Sequence, residues 1–434
     1  MRSLRVVRSL GLCALVALAG AGSVRAAGSA VSNAHGLNGI ARRGLAISPV
    51  AVDTHGLSHA ARNAVGYGSY LVNALGSCAD CHGGPPTFLA GGMPFPLDQS
   101  HVVYARNLTP DPDTGLHLTE AEFIEALRTG RDFHPDQTKA LVVMPWPVLR
   151  WMSDRDLRAV YAYLRAIPPQ ANTVPADVKG DLPLPPFVPF TGQYTDGEVD
   201  RKLPKQAQDQ SGVERGLAIQ PLAAPSLLSD RRTRNLFGRG SYLVNAVAGC
   251  NDCHTNPDRN QKTLKINTDA YLAGGRTFAV PPPLAPLIRQ TRTMTSDLLG
   301  ATHGFFHEPG TTLDVFIDLI VTGTHVDEVP PTPLGFPMPW PAYRNMVHDD
   351  LEAIYTYLTK VPARTGANDK ATQPVARYCA SSGDCRTGET CATATNECVG
   401  GSCSSDADCG ACQTCTTGAC AAPASDSPCL TSGL

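Results

Sequence analysis

The sequence predicts an all-α chain of two duplicated helical units followed by a small cysteine-rich module. Three observations carry this expectation. The run Gly68-Ser-Tyr-Leu-Val-Asn-Ala-Leu-Gly-Ser-Cys78-Ala-Asp-Cys81-His82 recurs as Gly240-Ser-Tyr-Leu-Val-Asn-Ala-Val-Ala-Gly-Cys250-Asn-Asp-Cys253-His254. Apolar residues three and four apart mark helices at matching places after each copy. Ten of the 15 cysteines crowd into Cys379 to Cys429. Gly and Pro together make up 76 of 434 residues and aromatics only 6%. That composition suits small, loop-rich units better than one large core.

Each repeated run ends in Cys-x-x-Cys-His, the attachment signature of a c-type haem. Two thiols one helical turn apart can add to the two vinyl groups of one porphyrin, and the adjoining imidazole then lies under the iron as an axial ligand. Cys78, Cys81, Cys250 and Cys253 are thus the expected attachment points of two covalently bound haem c groups. His82 and His254 are the expected iron ligands.

Residues 1–26 read as a signal peptide: Arg2, Arg5 and Arg8 precede a short apolar run, and Val24-Arg25-Ala26 offers a cleavage site. The run is too short to span a bilayer, and no other stretch qualifies after its removal. Its loss leaves 32 basic against 39 acidic side chains, a formal −7. A mildly acidic exported chain argues against nucleic acid as a partner. The expected location is the periplasm, the cell surface or the medium.

Residues 27–64 are expected to form an extended lead-in. Arg43-Gly-Leu-Ala-Ile47 nonetheless recurs as Arg215-Gly-Leu-Ala-Ile219, at the 172-residue offset of the haem motifs, so duplication reaches back before the motif. The first unit is expected over 65–168 and the second over 235–362, joined by a Pro-rich linker at 169–234 and followed by a short linker at 363–378. Gly66 to Ser77 should be a helix leading into the first motif. A backbone carbonyl near Pro85 or Pro257 is expected to orient the adjacent His. Asn107-Leu-Thr-Pro-Asp111 aligns with Thr293-Met-Thr-Ser-Asp297. Thr119 and Glu122 form a capping box for a middle helix, whose counterpart is Thr311 to Val321. Ser153 should cap a last helix through Ala166. Its counterpart, Asp349 to Leu358, has Val347-His348 in place of the serine and so a weaker start.

The tail at 379–434 repeats as well. Cys379-x5-Cys385-x5-Cys391-x6-Cys398 is echoed by Cys403-x5-Cys409-x5-Cys415-x4-Cys420, with Cys412 and Cys429 left over. In an exported chain this reads as a disulfide module of undetermined connectivity, a metal cluster being the alternative.

An iron held by one His leaves its other face open. Met closes it in an electron carrier, whereas a labile site makes a catalyst. Met144 and Met338 are the candidates, each in a repeated Met-Pro-Trp-Pro run that cannot continue a helix. Met152 and Met346 also match but suit core filling. His101, His117, His134, His303, His307 and His325 compete, although none occupies a clearly matched position in both copies.

The run Asn-Leu-Thr-Pro-Asp, Thr-Glu-x-Glu-Phe, Met-Pro-Trp and Asp-Leu-x-Ala-Val-Tyr-Ala-Tyr-Leu resembles the cytochrome c subunits of bacterial membrane dehydrogenases. Those subunits usually carry three haems, and this chain carries two motifs. The resemblance implies two tandem class I cytochrome c domains with loop-rich haem pockets, and ligation by His82 with Met144 and by His254 with Met338. The function expected is one-electron transfer by an exported dihaem cytochrome c, with no catalytic residue. A dihaem peroxidase and an electron-accepting subunit of a periplasmic dehydrogenase complex are the alternatives. Expected partners are redox proteins: a dehydrogenase, another cytochrome or a terminal oxidase.

Overall fold

The structure is a computed structural model. It describes residues 38–84, 86–98, 100–133, 138–179, 212–223, 225, 230–259, 264–279, 292–300, 304–325, 332–364, 378–385, 388–394, 396–403 and 414–421. The expected signal peptide at 1–26, His134 and His303 lie outside them. Among the described residues, no helix is long and apolar enough to cross a membrane.

The architecture is mostly helical, and one series of elements occurs twice. In the first copy these are α1 (Gly39–Ile47), α2 (His59–Tyr70), a π-helical turn (Leu71–Leu75) and α3 (Cys78–His82). A hairpin of β1 (Pro94–Pro96) and β2 (Val102–Tyr104) follows, then α4 (Glu120–Thr129), α5 (Trp146–Leu149) and α6 (Asp154–Ala166). The second copy runs α7 (Val213–Ile219), α8 (Arg231–Tyr242), a π turn (Leu243–Val247) and α9 (Cys250–His254). It continues with β3 (Thr277–Ala279), β4 (Arg292–Met294), α10 (Leu313–Thr322), α11 (Trp340–Tyr343) and α12 (His348–Lys360).

Two expected segments need correction. Within the lead-in, residues 38–64 are not simply extended, while 27–37 lie outside the described residues: Asn38 caps α1 by accepting the Ala41 amide, and Ser58 caps α2. The linker at 169–234 likewise contains α7 and the start of α8. Both short helices are held by the helix that follows them. Ser69 Oγ donates to Gly44 O at 2.6 Å, and Ser241 Oγ to Gly216 O at 2.7 Å. A capped stretch this short is marginal alone, so tertiary contact decides its state.

The other helix ends follow the sequence. Thr119 and Glu122 complete the capping box, and Ser153 accepts the Asp156 amide. Helix α12 starts at Val347 with no side-chain cap of its own. In each copy α2 or α8 crosses the last helix at a glycine. A Cβ on Gly68 would collide with the carbonyl of Ala159, and one on Gly240 with that of Ala353. Only a residue without a side chain permits so close an approach.

The apolar core is continuous through both copies, from Leu71, Phe88 and Tyr163 to Phe237, Leu272 and Tyr357. In the tail, hairpins β5 (Thr390–Ala392) with β6 (Glu397–Val399) and β7 (Thr414–Thr416) with β8 (Ala419–Ala421) are stitched by disulfides. The bridges are Cys379–Cys391, Cys385–Cys398 and Cys403–Cys415, and Cys420 is also disulfide-bonded. The first four cysteines pair first to third and second to fourth, which two-stranded pairing then brings together at Cys391 and Cys398. These bridges consume the sulfurs that a metal cluster at Cys379, Cys385 and Cys398 would need. Cys409, Cys412 and Cys429 lie outside the described residues.

Candidate functional site

Each Cys-x-x-Cys-His segment forms a single helical turn behind a residue in the left-handed region, Ser77 in one copy and Gly249 in the other. The π turn before it adds one residue to the spiral and offsets the motif from the helix that carries it. Such turns concentrate at functional sites. None of Cys78, Cys81, Cys250 and Cys253 takes part in a disulfide, in contrast to the bonded tail cysteines. Burial pushes Cys78, Cys250 and Cys253 up to about 12 and Cys81 up to about 11. Thiols held protonated are poor metal ligands and poor redox nucleophiles.

The two histidines are fixed alike. His82 Nδ1 lies 2.7 Å from Arg106 O, and His254 Nδ1 lies 2.9 Å from Ser296 O. A carbonyl can only accept, so Nδ1 carries the proton and Nε2 is left as the free donor atom for a metal. Burial holds both imidazoles below the usual range, partly offset by these bonds, which keeps them neutral as a ligand must be. The orienting carbonyls are therefore Arg106 and Ser296, not groups beside Pro85 or Pro257. The hairpin supplies them: Gly91 N bonds His82 O, and Gly92 N bonds Ala105 O. Gly274 and Gly275 do the same with His254 and Thr295.

This geometry also corrects the alignment of the copies. Leu108 N bonds Leu89 O where Leu298 N bonds Leu272 O, so Asn107 corresponds to Asp297 rather than to Thr293. Asn107 Oδ1 accepts the amide two residues on, as Asp297 Oδ1 does.

Met144 and Met338 are half-buried and pack against the core. Their loops are anchored by the following tryptophan. Gly130 and Gly323, in the left-handed region at the ends of α4 and α10, lie flat against the rings of Trp146 and Trp340. Trp146 Nε1 donates to Leu141 O at 3.0 Å. Met152 and Met346 are buried and serve as core filling. Among the competing histidines, His101 pairs with Asp98 in a loop, His307 is half-buried, and His325 meets the edge of Phe305.

The copies lock together by exchange. Tyr70 donates to Asp350 Oδ2 at 2.8 Å and accepts the Val347 amide at 3.0 Å. Tyr242 donates to Asp156 Oδ2 at 2.7 Å and accepts the Ser153 amide at 2.8 Å. Each tyrosine thus satisfies the start of the other copy's last helix, and the weakly capped α12 gains a partner. Helix α5 packs against the second π turn and α11 against the first. The π turns that lead into the two motifs also touch each other, which brings the motifs near one another.

The exchange is not symmetric in chemistry. Arg239 makes a bidentate pair with Asp350 at 2.9 and 3.0 Å, and its counterpart in the first copy is Tyr67. Behind the second motif, Tyr271 donates to Asn245 Oδ1 at 2.7 Å and Asn251 Nδ2 to the same oxygen at 2.9 Å. Phe88 and Ala79 stand at the matching positions of the first.

Paired cysteines one turn apart and outside any disulfide, beside an imidazole whose Nδ1 is bonded to a carbonyl, fit a c-type haem on each motif. Comparison with known proteins agrees. The chain is similar to cytochromes c. It is 29% identical over 220 residues to the fructose dehydrogenase cytochrome subunit of Gluconobacter japonicus, covering 49% of this chain and 38% of that protein. It is 31% identical over 218 residues to the cytochrome c subunit of the quinone alcohol dehydrogenase of Gluconobacter oxydans, covering 48% and 39%. A diheme cytochrome c-type protein of Cereibacter sphaeroides is 27% identical over 207 residues, covering 46% and 59%. The chain therefore spans under two thirds of each of these relatives, and only about two fifths of the two dehydrogenase subunits. No protein-family model matches it.

Proposed function

We propose that the chain is an exported dihaem cytochrome c that relays electrons one at a time. In this reading it consists of two class I cytochrome c domains and the disulfide-bonded tail. Cys78 and Cys81 hold one haem c, with His82 and Met144 as axial ligands. Cys250 and Cys253 hold the other, with His254 and Met338.

The observation that carries the proposal is the approach of the two motifs across the tyrosine exchange. A pair of carriers is useful as a relay only if electrons can pass between them. The packing of the two π turns against each other, with α5 and α11 crossing over onto them, supports a short path between the two haem c groups. A bound haem c supplies a reversible one-electron couple. The chain's residues hold its surroundings still. Arg106 and Ser296 fix the imidazoles, and the Gly130–Trp146 and Gly323–Trp340 contacts brace the methionine loops. No general acid, base or nucleophile is required. Similarity to dehydrogenase cytochrome subunits supports a dehydrogenase as electron donor. Another cytochrome or a terminal oxidase would take the electrons onward.

Absorption and electron paramagnetic resonance spectra of the oxidised holoprotein test this reading. Two low-spin His/Met centres are expected. A five-coordinate, high-spin centre in active protein would overturn the relay and favour a peroxidase.

A further inference from the structure

The chain leaving α6 does not depart from the first unit. It folds back as a strap over residues 169–179. Gln170 O accepts Asn107 Nδ2 at 2.8 Å, and Asn172 Nδ2 donates to Ala90 O at 2.9 Å. Val178 then exchanges backbone hydrogen bonds with Val102, at 2.9 and 2.8 Å, along the free side of β2. This pairing delivers the Asp177 side chain, 4% exposed, to the segment that orients His82. Its carboxylate accepts the Tyr104 amide at 2.9 Å and the Arg106 guanidinium at 2.5 Å. Lys179 Nζ lies 3.3 Å from the same carboxylate and 3.0 Å from Asp132.

We infer that Asp177 is a positioning residue for His82, through which the linker sets the proximal side of the first haem alone. The inference rests on His82 being an iron ligand. Asp177 grips the residues on both sides of Ala105, and the second of them, Arg106, provides the carbonyl that takes the His82 Nδ1 proton. Groups that orient a ligating imidazole fix its tautomer and raise its basicity. A firm Nδ1–H···O bond and a nearby carboxylate both favour the oxidised, more positive iron. The second site is built differently. Ser296 replaces Arg106, and the chain after α12 returns with the Arg364 amide on Leu299 O at 2.7 Å. Among the described residues no carboxylate bridges that segment.

The test uses the full-length holoprotein and the variants Asp177→Asn and Asp177→Glu. Redox titration of Asp177→Asn should show one midpoint potential raised and the other unchanged. Proton NMR should show faster solvent exchange at the ring N–H of one axial histidine only. Asp177→Glu keeps the charge but displaces it, so it should speed the same exchange with a smaller rise in potential. If Asp177→Asn does not fold, exchange in Asp177→Glu decides the matter. Unchanged exchange at both histidines, or equal shifts of both potentials, would overturn the inference. A holoprotein lacking two histidine-ligated haems would instead sink the reading of the site, and spectra of the unmodified protein show that independently.

Discussion

Replacing Tyr242 by Phe removes a single oxygen from the centre of the molecule. That oxygen has two partners, Asp156 Oδ2 and the Ser153 amide, and the tyrosine is fully buried. Burial, then Asp156, holds its phenol far above the usual range, so it stays protonated and donates. In the variant, the buried Asp156 side chain loses its across-unit donor, and the amide of Ser153, the cap residue of α6, loses its acceptor. Losing a hydrogen bond to a charged group costs about 1.5–3 kcal/mol, and an orphaned buried amide adds about 1 kcal/mol or more. We therefore expect a total loss of about 2–4 kcal/mol. Tyr70→Phe is the internal control. Asp350 retains its bidentate Arg239, so this loss should be smaller, about 1–2 kcal/mol. Guanidinium unfolding of the holoproteins, followed by Soret absorption and tryptophan fluorescence, measures both. Equal losses in the two variants, or a Tyr242→Phe loss under about 0.5 kcal/mol, would refute the argument from unequal partners.

Gly130→Ala forces a side chain into the left-handed region and against the Trp146 ring. It should destabilise the first unit by about 1–3 kcal/mol and weaken the ferric charge-transfer band of one Met-ligated haem. Met144→Ala and Met338→Ala should each abolish low-spin His/Met character at one haem only; an unchanged spectrum in either variant identifies that methionine as filler. Reduction of the tail should remove about 3 kcal/mol per loop of 12 or 13 residues. Differential scanning calorimetry should then show loss of the tail's transition, with the haem units melting as before.

The parts of the site that lie in one short stretch were legible in the sequence. Cys-x-x-Cys-His announces thiols and imidazole together, and Thr119 with Glu122 or Ser153 with Asp156 announces a helix start. What escaped depends on residues distant in the chain. The carbonyls of Arg106 and Ser296 orient the imidazoles, but any residue type has a carbonyl, so its position leaves no mark. The π turns follow a run that reads as ordinary helix. Helix α1 reads as extended chain in the sequence because its stability comes from contacts such as Ser69 with Gly44, not from its own composition. The four-residue misalignment of the second hairpin arises because that hairpin is seven residues longer than the first, and nothing local marks where its second strand resumes. Tyr70 and Tyr242 were visible as repeated residues, yet nothing local says that each serves the other copy.

That mutual service has the form of a homodimer interface. In a two-fold assembly of identical subunits, a patch must complement itself, and residue i meets j wherever j meets i. The Tyr70–Asp350 and Tyr242–Asp156 contacts obey this rule within one polypeptide. In a true homodimer any substitution at the interface appears on both sides at once. Within one polypeptide each half can differ alone, which is how Arg239 stands at the position of Tyr67 in the first copy, and Tyr271 at that of Phe88. One chain thus holds a self-complementary contact and still surrounds its two motifs with different chemistry.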